Sequence, residues 1–184
     1  YELMGIDVDH YDDTGRQKLG GDQLDALVRT LGALPPTYVS TARARHDDGS
    51  DAGDWTSGIR LFLVPRGLAF RGQADADIEV IQKNHRFAVV WPSYNPKTNS
   101  TYRLYSPTQW AEHGQALDPL NGDDLPDPAT LPLLPDKWVD HLTQGRMRDD
   151  GGEIDMDATP DEVDHWAIAT FRDGDELCTY MRQR

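Results

Sequence analysis

Cysteine is almost absent from this sequence, since Cys178 is the single one in 184 residues. One cysteine excludes an internal disulfide framework and any zinc module built on several cysteines. It also suits a reducing compartment, so we expect a cytoplasmic protein. Long apolar runs are absent too, and none approaches the roughly 18 residues of a membrane-spanning helix. We therefore expect no membrane partner, and the length predicts one domain with a small extension.

Several nucleotide-binding and hydrolase motifs are missing as well. The chain has neither a Gly-x-x-x-x-Gly-Lys phosphate loop nor a Gly-x-Gly-x-x-Gly turn, which excludes an ATPase or helicase module within it. It has no Gly-x-Ser-x-Gly nucleophile turn. Its histidines show no His-Glu-x-x-His metal spacing. The chemistry of this protein must therefore depend on other residue types.

Basic side chains are scarce, with 18 Lys and Arg against 32 Asp and Glu, for a net charge of −14. A net charge of this sign repels the phosphates of nucleic acid. The distribution is uneven, however, because residues 56–110 carry seven basic and three acidic side chains, whereas residues 111–184 carry six and eighteen. The middle of the chain is therefore locally basic, and we expect it to face any nucleic acid that the protein binds.

Apolar periodicity predicts several strands and few helices. Helical spacing of Leu24, Leu27, Val28 and Leu31 predicts a helix that Asp22 caps and Gly32 ends. Five prolines and five aspartates in residues 116–136 indicate an extended linker over the domain. A short helix is predicted at residues 137–142, and a flexible stretch with a small helical extension at residues 143–184. Strands are predicted at residues 3–8, 38–41, 59–65, 78–82, 86–92 and 101–105.

Two carboxylates, Asp7 and Asp9, come at the end of the first apolar strand. Side chains at positions i and i+2 of a strand point to the same face, so these two project side by side. Like charges this close are costly unless a cation lies between them, and carboxylate oxygens suit Mg²⁺ or Mn²⁺. The alternative interpretation is an acidic strand end that caps the following loop.

Glu79 is a third candidate ligand, because it lies between Ile78 and Val80 in another apolar strand. Three carboxylates on neighbouring strands would form a two-metal site of the kind used in phosphoryl or nucleotidyl transfer. Alternatively, Glu79 belongs to an edge strand and faces solvent.

Three residues of the basic middle region are candidates for binding a triphosphate beside such metals. Ser57 and Arg60 lead into the strongest strand, and His85 follows Glu79 closely. Arginine offers phosphate a fork of donors. The alternatives are that Arg60 is an ordinary strand residue and that His85 belongs to a turn.

Taken together, several segments resemble the N-terminal domain of bifunctional DNA primase/polymerases, the prim-pol branch of the archaeo-eukaryotic primases, and especially its actinobacterial and phage forms. The resemblance covers most of residues 3–142, with its motifs in the same order. The segments are GIDVD (5–9), LGALPPT (31–37), STAR (40–43), SGIRLFLVP (57–65), IEVIQKNHRFAVVWPS (78–93), NPKTNSTYRLY (95–105) and LPDKWVDHL (134–142).

The resemblance implies that Asp7, Asp9 and Glu79 are the catalytic metal ligands of a site for two Mg²⁺ or Mn²⁺ ions. The family's second motif ends in a histidine that contacts the nucleotide. This chain has Arg60 there, so Arg60 or His85, together with Ser57, is expected to bind the triphosphate. The family also carries helices and a strand ahead of its first motif, which implies that an N-terminal part of the core is missing here.

The fold expected is α/β (α+β), with a mixed sheet of five to seven strands flanked by helices. The expected organisation is a prim-pol core at residues 1–115, the linker at 116–142, and the extension at 143–184. The expected function is template-directed nucleotidyl transfer during replication of a phage, plasmid or bacterial element. DNA template and primer, nucleoside triphosphates and a replicative helicase are the expected partners.

Two other functions remain open on the residues alone. A metal-dependent nuclease or phosphodiesterase would use the same carboxylates to activate water. A non-catalytic acidic module of a replication complex would bind a basic partner protein, and the charge of −14 favours that interpretation.

Overall fold

The computed structural model describes residues 1–82, 86–121 and 125–143, so the predicted extension at 144–184 lies outside the described residues. Three α-helices are present there: α1 (Gly20–Leu31), α2 (Pro107–Ala111) and α3 (Asp136–Thr143). Single 3₁₀ turns occupy Pro119–Asn121 and Pro128–Thr130. The strands are β1 (Glu2–Val8), β2 (Asp12–Asp13), β3 (Arg16–Gln17), β4 (Val39–Thr41), β5 (Gly58–Val64), β6 (Gln73–Asp75), β7 (Ile78–Ile81), β8 (Tyr94–Asn95), β9 (Ser100–Thr101) and β10 (Arg103–Tyr105).

Six of these strands form one sheet in the order β10-β4-β5-β1-β7-β6. All five strand pairs are antiparallel, so the prediction of a mixed sheet is wrong. The apolar pattern locates strands but carries no information on their direction. β6 and β7 are joined by two residues, and so short a link permits only an antiparallel pair. Two small hairpins, β2-β3 and β8-β9, lie outside this sheet.

The strand predicted at residues 86–92 is not formed. Arg86 has a φ of +64°, which is incompatible with an extended chain, and the Arg86 and Phe87 side chains are exposed. Pro92 also lacks the backbone N–H that a sheet ladder uses. The apolar residues of this segment therefore lie in a loop and not in a strand.

Alternation along β1 divides the sheet into two faces. The helix face carries Met4, Ile6 and Val8, which pack with the apolar sides of α1 and α3. The loop face carries Leu3, Gly5 and Asp7, and its apolar cluster includes Ile59, Leu61, Leu63, Ile81, Leu104 and Leu131. Both faces thus carry an apolar cluster, and Asp7 lies on the loop face near the end of β1, directly opposite Ile59.

The start of α1 differs from the prediction. Asp22 lies in the first turn, and the helix begins earlier, at Gly20, with no side-chain cap on Leu19. A side chain at Gly20 would meet the backbone oxygens of Asp9 and Asp77 at 2.5 and 2.6 Å. Only glycine allows α1 to begin this close to the end of β1.

The end of the 116–136 region and the helix α3 contribute to the helix-face core. Leu134, Trp138 and Leu142 are buried there, and the Trp138 indole N–H donates to the Gly32 carbonyl at 2.9 Å. This bond joins α3 to the end of α1. No helix in the described ranges is long and apolar enough to span a bilayer.

Trp138 is fully buried, so its truncation tests how strongly α3 is bound to the sheet. We expect Trp138→Ala to lower the free energy of unfolding by about 3–5 kcal/mol, because it removes apolar contacts and leaves a cavity. Trp138→Phe keeps most of the volume and loses mainly the hydrogen bond to Gly32, so its cost is smaller. Urea denaturation measures both, with the half-exposed Leu133→Ala as the control. A Trp138→Ala protein as stable as the control would contradict this packing.

Candidate functional site

Asp7 and Glu79 are direct cross-strand neighbours. In the antiparallel pair of β1 and β7, Asp7 is opposite Glu79, and on its other side it is opposite Ile59 of β5. Residues opposite each other in adjacent strands point to the same face, with Cβ atoms about 4.5–5.5 Å apart. The structure therefore brings two of the predicted carboxylates together on the loop face.

Asp9 follows immediately after β1 and is fixed through its backbone. Its N–H donates to the Asp77 carbonyl at 3.0 Å, and its carbonyl accepts from the Gly20 N–H at 2.8 Å. These bonds hold Asp9 between the β6-β7 turn and the start of α1. Its charge acts on Asp7, so the three predicted carboxylates form one acidic cluster, defined here as Asp7, Asp9 and Glu79.

Asp7 is the most perturbed member of the acidic cluster. Burial raises its pKa to about 7, and the charges of Asp9 and Glu79 act in the same direction. Arg60 and Lys18 oppose this shift without cancelling it. A carboxyl with such a pKa takes up a proton near neutral pH unless a cation approaches it.

The other two carboxylates each have a cationic partner. The Lys18 ammonium donates to Asp9 at 2.6 Å, with both side chains about one-fifth exposed, and Arg86 forms an ion pair with Glu79. Burial lowers the pKa of Lys18, but its hydrogen bond with Asp9 and the Asp9 charge raise it above its ordinary value. Asp9 and Glu79 therefore already attract positively charged groups.

The acidic cluster has the donor chemistry of a magnesium or manganese site. Its oxygens are hard ligands, and two of them already bind the cationic groups of Lys18 and Arg86. Across the described ranges, however, no three His, Cys, Asp or Glu side chains are arranged closely enough to hold a metal ion. Lys18 and Arg86 would have to move aside before all three carboxylates could share one.

Ser57 is engaged with the protein backbone. Its hydroxyl accepts from the His10 N–H at 2.9 Å and donates to the His10 carbonyl at 3.2 Å, and the side chain is buried. The Ser57 N–H donates to the Asp54 carboxylate at 2.8 Å. Ser57 thereby joins the end of β1 to the beginning of β5, next to the acidic cluster.

Arg60 lies on the other face of the sheet. It is opposite Ile6 in β1 and Val39 in β4, which places it on the helix face. Its guanidinium donates to the carbonyls of Thr56 at 2.9 Å and Gly58 at 3.1 Å. Burial lowers its pKa to about 10, opposed by the charges of Asp7 and Asp54. Two of the three predicted triphosphate ligands are thus bonded internally, and the third, His85, lies outside the described residues.

Two residues that sequence reasoning missed form a stack beside Asp9. The guanidinium carbon of Arg43 lies 3.3 Å from the centroid of the Tyr11 ring. The Tyr11 pKa is raised mainly by burial and then by the charge of Asp9. Nothing in the local pattern links Tyr11 to Arg43, because only the tertiary fold brings them together.

Asp77 is a further residue that the sequence analysis did not single out. Its buried carboxylate accepts from Arg16 at 2.6 Å and from the Leu19 N–H at 3.1 Å. Its N–H donates to the Gln23 side chain at 2.8 Å. The Leu19 hydrogen bond is the main reason why the pKa of Asp77 lies below its ordinary value. Asp77 therefore satisfies backbone and side-chain donors at the start of α1 and positions the segment that follows Asp9.

Comparison with family models, with curated protein sequences and with solved structures finds no match to this chain.

The perturbed Asp7 carboxyl predicts a pH-dependent stability difference. An unfolded aspartate titrates near pH 3.9, and the folded value is about 7. As the pH rises between these values, Asp7 ionises in the unfolded chain before it ionises in the folded protein. The free energy of unfolding of the wild-type protein therefore falls progressively over this range. Asp7→Asn has no charge to lose at this position. The midpoint temperature of Asp7→Asn minus that of wild type should therefore be larger at pH 8 than at pH 5.

Thermal denaturation at the two pH values measures this difference, at roughly 2–4 °C for each kcal/mol in a chain of this size. Asp25→Asn is the matched control, because Asp25 is exposed on α1. A difference between Asp7→Asn and wild type that is the same at both pH values would show that Asp7 ionises normally.

Proposed function

We propose that this chain is a DNA primase/polymerase domain that catalyses template-directed, divalent-metal-dependent nucleotidyl transfer. The observation that carries the proposal is the register of β1 and β7, which places Asp7 directly opposite Glu79, with Asp9 beside them. The order of the segments that resemble prim-pol domains supports it, because the two acidic motifs of that family fall on these residues.

The acidic cluster would hold the metal ions in this reaction. Bound Mg²⁺ or Mn²⁺ supplies activation of the primer 3′-hydroxyl and neutralisation of the leaving pyrophosphate. Asp7 contributes a carboxyl whose protons compete with cations near neutral pH, because its pKa is about 7. Asp9 and Glu79 contribute carboxylates that already bind the cationic groups of Lys18 and Arg86. A cation released from its carboxylate can form a charge-assisted hydrogen bond with a phosphate oxygen.

Local charge supports a phosphate-containing substrate despite the acidic composition. Lys18, Arg43 and Arg86 all belong to the surroundings of the acidic cluster. Anions are attracted by the local distribution of charge in a cleft as well as by the net charge. The most acidic part of the sequence, residues 111–184, is a different part of the chain.

A primer-extension assay with Mn²⁺, a short template and each class of nucleotide tests the proposal. We expect wild-type protein to lengthen the primer, and Asp7→Asn and Glu79→Gln each to abolish extension, because each removes a carboxylate from the acidic cluster. Asp25→Asn removes the same charge at an exposed position on α1 and should extend normally.

The outcomes separate the rival functions. Shortening of the DNA without nucleotides, lost in Asp7→Asn, would replace the polymerase with a nuclease that uses the same carboxylates. Absence of both extension and cleavage with metal present would contradict catalysis altogether and favour the acidic interaction module.

A further inference from the structure

Arg43 differs from the other cations around the acidic cluster because it has no acidic partner among the described residues. In the described part of the chain, Lys18 pairs with Asp9, and Arg86 with Glu79. No carboxylate there lies within ion-pair distance of Arg43, and its guanidinium donates no hydrogen bond; only its backbone N–H donates, to Thr41. A half-buried guanidinium that retains all its donors is available to bind an anion.

The stack with Tyr11 fixes the orientation of Arg43. At 3.3 Å from the ring centroid, the guanidinium lies against the aromatic ring and leaves its N–H groups directed along the edges of its plane. Less side-chain entropy is lost on binding when a planar group is already oriented. Tyr11 is in turn close enough to Asp9 for the Asp9 charge to raise the Tyr11 pKa.

The position of Arg43 relates it to the acidic cluster rather than to a separate surface. Its charge acts on Tyr11 and on Tyr102, and both tyrosines also interact electrostatically with acids of the cluster. Arg43 and the acidic cluster therefore share Tyr11 and Tyr102 as neighbours. Arg60, the arginine that the sequence favoured, has its donors bonded to Thr56 and Gly58.

We propose that Arg43, held against Tyr11, binds a phosphate group of the nucleotide substrate at the acidic cluster. The class of ligand, a nucleotide phosphate, follows from the proposed function. The new element is the residue that binds this phosphate, Arg43. The planar edge of the guanidinium matches two phosphate oxygens, and the interaction is charge-assisted. The phosphate belongs to a nucleoside triphosphate or to the DNA backbone, which present the same oxygens.

Isothermal titration of the full chain with two probes, in buffer with Mg²⁺, separates these sources. The probes are inorganic tripolyphosphate and a single-stranded oligonucleotide without a terminal phosphate. Arg43→Ala should weaken binding about tenfold or more for the probe whose phosphate Arg43 contacts. Arg43→Lys should show an intermediate loss, because it keeps the charge and loses the planar fork.

Two further variants control for charge and folding. Arg66→Ala removes the same charge near Tyr1, at the opposite end of β1, and should bind both probes as wild type does. Tyr11→Phe keeps the ring and should retain binding, whereas Tyr11→Ala removes the support of Arg43 and should weaken it. Circular dichroism establishes that each variant is folded.

Loss of tripolyphosphate binding supports triphosphate recognition, and loss of oligonucleotide binding alone supports the DNA backbone as the source. Wild-type affinity of Arg43→Ala for both probes would overturn the proposal, and so would failure of wild-type protein to bind either.

The primer-extension assay separates the phosphate-site proposal from the proposed polymerase function. If a probe binds in an Arg43-dependent way but no primer is extended, the polymerase function is contradicted and the phosphate site is still supported. If Arg43→Ala extends the primer with an unaltered KM for nucleotide, the phosphate site is contradicted and the polymerase function is still supported.

Discussion

Repulsion among Asp7, Asp9 and Glu79 is the constraint on which the rest of the site depends. The pairing of β1 with β7 forces Asp7 and Glu79 together, and the backbone bonds of Asp9 keep the third charge near them. Burial alone would neutralise such carboxyls by protonation, which is the state favoured at Asp7. Asp9 and Glu79 instead form ion pairs with Lys18 and Arg86. The cluster thus combines one carboxyl whose pKa is about 7 with two carboxylates that already have cationic partners.

The surrounding structure serves to keep the acidic cluster assembled. Asp77 binds the start of α1, its backbone positions Asp9, and Gly20 lets the helix begin against that same backbone. Ser57 fastens the end of β1 to β5 from the other side. On the helix face, β1 packs against α1 and α3 through the apolar core. Flexible neighbours would let the like charges separate, so these contacts maintain a repulsive arrangement that protonation of Asp7 or a nearby cation relieves.

Much of this arrangement is visible in the sequence, and the part that is not has physical reasons. The apolar neighbours of Asp7 and Glu79 predict the strands that carry them. Strand alternation does not place Asp9, because β1 ends at Val8 and backbone bonds to Asp77 and Gly20 position Asp9. The direction of the strands is not encoded in the apolar pattern, so the antiparallel sheet was missed. The face of Arg60 was missed as well, because it depends on register with Ile6, which follows from tertiary pairing. The stack of Tyr11 and Arg43 joins two loops, and no local spacing indicates such a contact.

The central claim is that carboxylates from two separate strands act as one cation site. Electron paramagnetic resonance of free Mn²⁺ during titration of the protein measures it directly, without any substrate. The account predicts that wild-type protein binds Mn²⁺ more tightly as the pH rises through 7, where Asp7 ionises. It also predicts that Asp7→Asn and Glu79→Gln each weaken binding and that Asp25→Asn does not. Mn²⁺ binding that survives Glu79→Gln unchanged while Asp7→Asn abolishes it would show that β1 and β7 do not share a site.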